Sequence, residues 1–100
     1  MRRAARVDAN QSEIVRALRR AGASVQHLHD VGKGCPDLLV GWRGRNFLLE
    51  VKTPTGSLTQ DQDDWMQGWQ GQAAVVCSVS EALALLQGRR RGFNLKGGVA

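Results

Sequence analysis

Apolar and polar positions alternate along this chain in a way that divides it into short segments. Ile14, Val15, Leu18 and Ala21 recur at helical spacing, which predicts a helix from Asn10 to about Ala21 with Gly22 as its stop. Ser24 to Leu28 reads as a first strand. Beyond the Gly-containing loop Asp30 to Cys35 come two apolar-rich runs, Leu38 to Gly41 and Asn46 to Lys52. They flank Trp42-Arg43-Gly44-Arg45, the pattern of a β-hairpin. Pro54 ends the second run, since proline does not continue a ladder. Thr59-Gln60-Asp61-Gln62 has the form of a capping box and opens a helix to about Gln70, ahead of Gly71. Asp61, Asp63 and Asp64 near its start suit the positive end of the helix dipole. Gln72 to Ser78 reads as a buried strand, and Ser80 to Gln87 as a last helix carrying Leu83, Leu85 and Leu86. The order helix, three strands, helix, strand, helix predicts an α/β fold, a small mixed sheet with helices on both faces.

The hairpin sorts its residues by chemistry. If Arg43-Gly44 is a two-residue loop, Asp37 lies opposite Glu50, with Cα atoms roughly 5 Å apart. Opposed residues share a face, and Lys52 shares it with Glu50, so all three are expected on the solvated side. Leu38, Val40, Phe47, Leu49 and Val51 take the other side, where they can build a core. A slip of one residue would destroy this sorting and a slip of two would keep it, so parity is firmer than register. Arg-Gly is also a poorer type I′ turn signal than Asn-Gly. Two opposed carboxylates repel unless something neutralises them. Lys52 can pair with one acid, one acid can be protonated, or a divalent cation can lie between them. Mg²⁺ is commonly held by one or two carboxylates together with water and phosphate oxygens. Such an ion activates water and stabilises phosphoryl charge, and a neighbouring Lys positions the nucleophile or offsets developing charge.

One hundred residues, 42% of them hydrophobic, suit a single domain over residues 1–100, with a basic arm at 1–7 and a Gly/Arg-rich tail at 88–100. A domain of this size buries only roughly two-thirds of its unfolded surface, too little to enclose a DNA duplex. The net charge of +5 favours a polyanionic partner. No run approaches the roughly 20 apolar residues of a membrane span. MRRAARVDANQSE lacks the apolar core of a secretory signal, so a cytoplasmic location is expected. Cys35 and Cys77 are then expected as free thiols, Cys77 as a small core residue.

Pro36-Asp37 followed by Glu50-Val51-Lys52 resembles the two halves of the PD-(D/E)xK nuclease signature. From about Glu13 to about Leu86 the chain is similar to compact stand-alone members of the VRR-NUC family, such as phages carry. The shared features are a Glu in the first helix, the turn Gly34-Cys35-Pro36-Asp37, the Glu-Val-Lys strand, and Leu58-Thr59 with Gln62 at the entry to the next helix. The resemblance implies a restriction-endonuclease-like fold and Mg²⁺- or Mn²⁺-dependent cleavage of DNA, often branched DNA. It places Asp37, Glu50 and the Val51 carbonyl on the metal and Lys52 on the attacking water, in a bacterial host cell. Stand-alone members look like Holliday junction resolvases, which work as dimers, so a homodimer is expected.

Other residues carry two readings each. Glu13 is N3 of a capping box if Asn10 is the N-cap, or lies near the metal as the family's first-helix Glu does. Gln62 likewise is N3 of its own box, or approaches the site. His27 and His29 invite a zinc reading but lack further ligands at a regular interval. A polar strand edge, or phosphate contact by His29 and Lys33, is favoured. Trp65, Met66 and Trp69 form a stripe read as core or subunit interface ahead of base stacking. Arg16, Arg19 and Arg20 read as a solvated helix face, whereas Arg43, Arg45, Arg89, Arg90 and Arg91 are candidates for phosphate contact. The expected function is a divalent-metal-dependent DNA endonuclease. The main rival is a catalytically silent DNA-binding domain of the same fold. An RNase or nucleotide phosphodiesterase is a third possibility.

Overall fold

The computed structural model describes residues 2–88, with side chains from residue 9 onward. Helix α1 (Arg2–Arg20) leads into strands β1 (Ser24–His27), β2 (Leu38–Trp42) and β3 (Arg45–Val51). Helix α2 (Gln60–Gly68), strand β4 (Ala73–Val76) and helix α3 (Val79–Leu86) follow. The four strands form one sheet in the order β1-β2-β3-β4, antiparallel up to β3, with β4 parallel to β3. A parallel pair needs a crossover, and the segment containing α2 supplies it.

The hairpin has the predicted register, with Leu38 opposite Leu49 and Trp42 opposite Arg45. Its turn holds Arg43 at φ 50° and Gly44 at φ 79°, the positive values that a type I′ turn requires at both central positions. Arginine is costly there, but its guanidinium carbon lies 4.4 Å from the Trp42 ring centroid, a cation–π contact that offsets part of the cost.

Alternation along β2 and β3 then decides the layers. Leu38, Val40, Phe47, Leu49 and Val51 are all buried, and with Ala74 and Val76 they face α1 and α3. Those two helices pack on each other through Ile14, Val15 and Leu18 and through Ala82, Leu85 and Leu86. Helix α2 lies across the opposite face, where its Gln62 reaches Glu50. The sheet therefore has helices on both faces, as the element order predicts.

Strand β4 is shorter than the expected Gln72 to Ser78, and two helix boundaries also differ from expectation. Helix α1 begins at Arg2, so the expected basic arm is helical in large part and Asn10 is an interior residue instead of an N-cap. Arg2, Arg3, Ala4, Ala5 and Arg6 are good helix formers with no Gly or Pro to stop them. The helix ends where predicted, with Gly22 N–H donating to Arg19 O and Ala23 N–H to Leu18 O in a Schellman pattern. Helix α2 stops at Gly68, earlier than Gln70, and Trp69 caps it with its N–H on Trp65 O.

Two further contacts fix the sheet's surroundings. Gly34 has φ 82°, and a Cβ there would collide with the Asp61 carbonyl. The loop before Asp37 therefore rests on the first turn of α2, and only glycine permits both the conformation and the approach. At the outer edge of the sheet, Leu28 N–H donates to Asp37 O, so by alternation the Val25 carbonyl faces outward. Arg19 Nη2 donates to that carbonyl at 3.1 Å.

Candidate active site

Where β2 begins and β3 ends, the chain gathers Asn10, Asp37, Glu50, Val51, Lys52, Thr53, Gly56, Ser57 and Gln62 around a cavity of about 310 Å³. Each lining element contributes by its own local logic. Asp37 immediately precedes β2 and Glu50 sits in β3, opposed through the hairpin register. Lys52 N–H donates to Val76 O on β4, so by alternation the Val51 amide and carbonyl face the other way. Asp37 lies on that side, and its Oδ2 accepts from Val51 N–H at 2.9 Å.

Gln62 does two jobs through one amide group. Its Oε1 accepts from Thr59 N–H at 2.9 Å while Thr59 Oγ1 accepts from Gln62 N–H, completing the predicted capping box. Its Nε2 donates to Glu50 Oε2 at 3.0 Å. The capping reading and the site reading are therefore both true of its position.

Glu50 is the electrostatic centre. Its solvent exposure is 3%, so the expectation of a solvated face fails for this residue. Helix α2 covers it, an arrangement that strand alternation does not reveal. Lys52 Nζ stands 3.7 Å from Oε2, while Oε1 has no hydrogen-bond partner. Burial, then the charge of Asp37 and a hydrogen bond shared with its carboxyl, push the Glu50 carboxyl up to about 8, with Lys52 pulling the other way. Two of the three sequence readings thus bear on the protein without a metal: Lys52 stands beside Glu50, and burial favours the protonated form of the Glu50 carboxyl. The same buried, unpartnered oxygen beside a second carboxylate is what the third reading requires. An unsatisfied buried carboxylate oxygen is costly, and a cation would relieve that cost. Among the described residues no three His, Cys, Asp or Glu side chains converge on one point. A cation here would rest on Asp37, Glu50 and the Val51 carbonyl, a donor set that suits Mg²⁺ or Mn²⁺ better than zinc.

Asp37, Glu50, Val51, Lys52 and Gln62 are thus brought together; the other candidates are not. Glu13 is exposed on α1 and outside the cavity lining, and its capping box with Asn10 does not form because Asn10 lies inside the helix. Asn10 enters the site in its place, its Nδ2 donating to Lys52 O at 3.2 Å. Lys33 is exposed in the turn before Asp37, at φ 53°. Arg43 and Arg45 lie at the far end of the hairpin, roughly 20 Å from the acids at strand rise. Arg45 is moreover engaged there, donating to Leu86 O at the end of α3. Arg89, Arg90 and Arg91 lie outside the described residues.

The remaining features are local. His29 pairs with Asp30 at 3.5 Å, and its ring meets His27 edge-on. Trp65 and Trp69 stack at 4.5 Å, but only Met66 of that stripe is buried and Trp69 is 41% exposed. The stripe is therefore core only at Met66; α2 turns its Gln62–Met66 side to the sheet and leaves the indoles half uncovered. Cys35 is a free thiol, and Cys77 Sγ donates toward Thr53 O. No described helix is long and apolar enough to cross a membrane.

Comparison with known proteins agrees with this fold. A solved structure described as a VRR_NUC domain matches with a TM-score of 0.63 at 22% sequence identity, over 81% of this chain and 94% of that one. At that identity the match shows the fold. No curated protein sequence matches the chain. The sequence model of the VRR-NUC domain matches residues 3–81, which contain every element up to the first turn of α3 and the whole cavity lining. The chain belongs to the VRR-NUC domain family, a nuclease-type family.

Proposed function

We propose that this protein is a divalent-metal-dependent endonuclease that hydrolyses DNA phosphodiester bonds. We further propose that it prefers branched DNA such as Holliday junctions and acts as a homodimer. The observation that carries the reading is Glu50: a buried carboxylate with one unpartnered oxygen, opposed to Asp37 in an open polar cavity. Asp37, Glu50 and the Val51 carbonyl would hold Mg²⁺ or Mn²⁺. When bound, such an ion activates water and neutralises charge on a phosphoryl group. The protein's own groups set up the rest. Gln62 holds the Glu50 carboxylate in place through its amide. Asp37 is held by the Val51 amide. Lys52 keeps a positive charge at the cavity, where it can orient an attacking water and offset charge developing on a phosphate oxygen. Lys33 and the basic tail residues are proposed to contact flanking phosphates.

A catalytically silent DNA-binding domain is the alternative that this site disfavours. A surface that only binds a polyanion gains nothing from two opposed acids, one of them buried at a cost. The decisive experiment incubates purified protein with Mg²⁺ or Mn²⁺ and labelled duplex, flap, four-way junction, single strand and RNA. Metal-dependent cuts in branched DNA are expected, slowed by orders of magnitude in Lys52→Ala with metal affinity unchanged. Binding without cleavage would favour the silent domain, and preference for RNA would reassign the substrate.

A further inference from the structure

Lys52 stands where its backbone should be least constrained. Strand β3 ends at Val51, β4 ends at Val76, and Pro54 follows two residues later. The Lys52 N–H still finds a ladder partner in Val76 O at 3.0 Å. Its carbonyl lies past the end of the ladder. Helix α1 supplies the missing partner from the other layer of the protein: Asn10 Nδ2 donates to Lys52 O at 3.2 Å across 42 residues of sequence. A carbonyl can only accept, so the amide nitrogen of Asn10 must face it and its Oδ1 must point elsewhere. Asn10 is half-buried and lines the same cavity as Asp37, Glu50 and Gln62.

We infer that Asn10 is a positioning residue for Lys52. With N–H and C=O both held, the main chain at Lys52 has one conformation, and the side chain leaves it toward Glu50, with Nζ 3.7 Å from Oε2. Without the Asn10 donor the carbonyl is released at the start of an exposed loop, and the ammonium samples directions away from the acids. Errors of about 1 Å in such a group are costly to a hydrolytic step. The helix itself has no need of asparagine at an interior position, where its propensity is only moderate. Helix α1 and helix α2 thus grip two functional residues at the end of β3 and just beyond it, Asn10 through the Lys52 backbone and Gln62 through the Glu50 side chain.

This inference rests on the nuclease reading for its kinetic consequence but not for its structural one, and the test uses both. Asn10→Ala removes the donor, and Asn10→Leu removes it while keeping the side chain's size. Both are compatible with a helix interior, so melting temperatures should stay close to the parent. In each, kcat on the cleaved DNA is expected to fall by at least about tenfold with KM within about twofold. In metal-free protein, NMR relaxation should show a lower order parameter for the backbone at Lys52 and Thr53, with Glu50 unchanged. Parental kcat in Asn10→Leu would overturn the inference, as packing would then suffice; so would an unaltered Lys52 backbone in both variants. If the parent cuts no DNA, the nuclease reading falls, and the Lys52 order parameter alone still decides whether Asn10 holds it.

Discussion

Glu50 concentrates the conflict in this fold on one side chain. Burying it beside Asp37 raises its carboxyl from an ordinary value of 4.5 to about 8, so without metal the folded chain holds a proton there that the unfolded chain has released. Between those values the folded state binds more protons. The contribution is therefore fully present below about 4.5 and lost as pH rises through about 8. Glu50→Gln keeps the shape and removes the titration. In chelator, the stability of the parent relative to Glu50→Gln should fall across that window by a few kcal/mol, read from denaturant midpoints at successive pH values. A difference that is flat with pH would mean that Glu50 is ionised when folded. Asp37 behaves differently because it accepts the Val51 N–H. Asp37→Ala should lower stability by about 1–2 kcal/mol, while Asp37→Asn keeps an acceptor and should not, although neither should cleave.

Among the elements, the β2–β3 hairpin carries an improvable turn. Arg43→Asn would convert Arg-Gly to Asn-Gly, easing the positive φ at the cost of the contact with Trp42. A net gain on the order of 0.5 kcal/mol in urea unfolding is expected; a loss would show that the cation–π contact outweighs the strain. The hairpin is also where the sequence was most legible. Alternating apolar positions leave one choice of faces, and the two-residue loop at Arg43-Gly44, a weak turn signal that the structure bears out, adds the register that opposes Asp37 to Glu50. Helix α1 was less legible at its start. Asn10 and Glu13 imitate a capping box, yet nothing upstream breaks the helix, and the pattern alone does not separate the two cases. Two further facts depend on packing between distant segments: the burial of Glu50 under α2 and the bond from Asn10 to Lys52. The Leu-Thr-x-x-Gln spacing brought Gln62 toward the site without signalling the first, and no local signal pointed to the second.

On the scale of the whole molecule the charge is unevenly placed. Arg89, Arg90, Arg91 and Lys96 account for four of the five net positive charges, and residues 89–100 contain no acid. Affinity for DNA should therefore weaken steeply with salt, and deletion of residues 89–100 should flatten that dependence alike for all sequences. An unchanged slope in log Kd against log salt would move the contacts elsewhere. The proposed homodimer should appear in light scattering at micromolar concentration as a mass twice that of the chain. How two copies can meet is constrained by Arg19, whose guanidinium occupies the outward carbonyl of Val25. An uncovered strand edge is a template, and each strand added to it presents the next. With that carbonyl occupied, continuing the sheet past β1 into a second molecule would first require dislodging a bonded arginine. Association through side-chain surfaces instead lets a two-fold axis close on itself, so that growth stops at a finite number of copies.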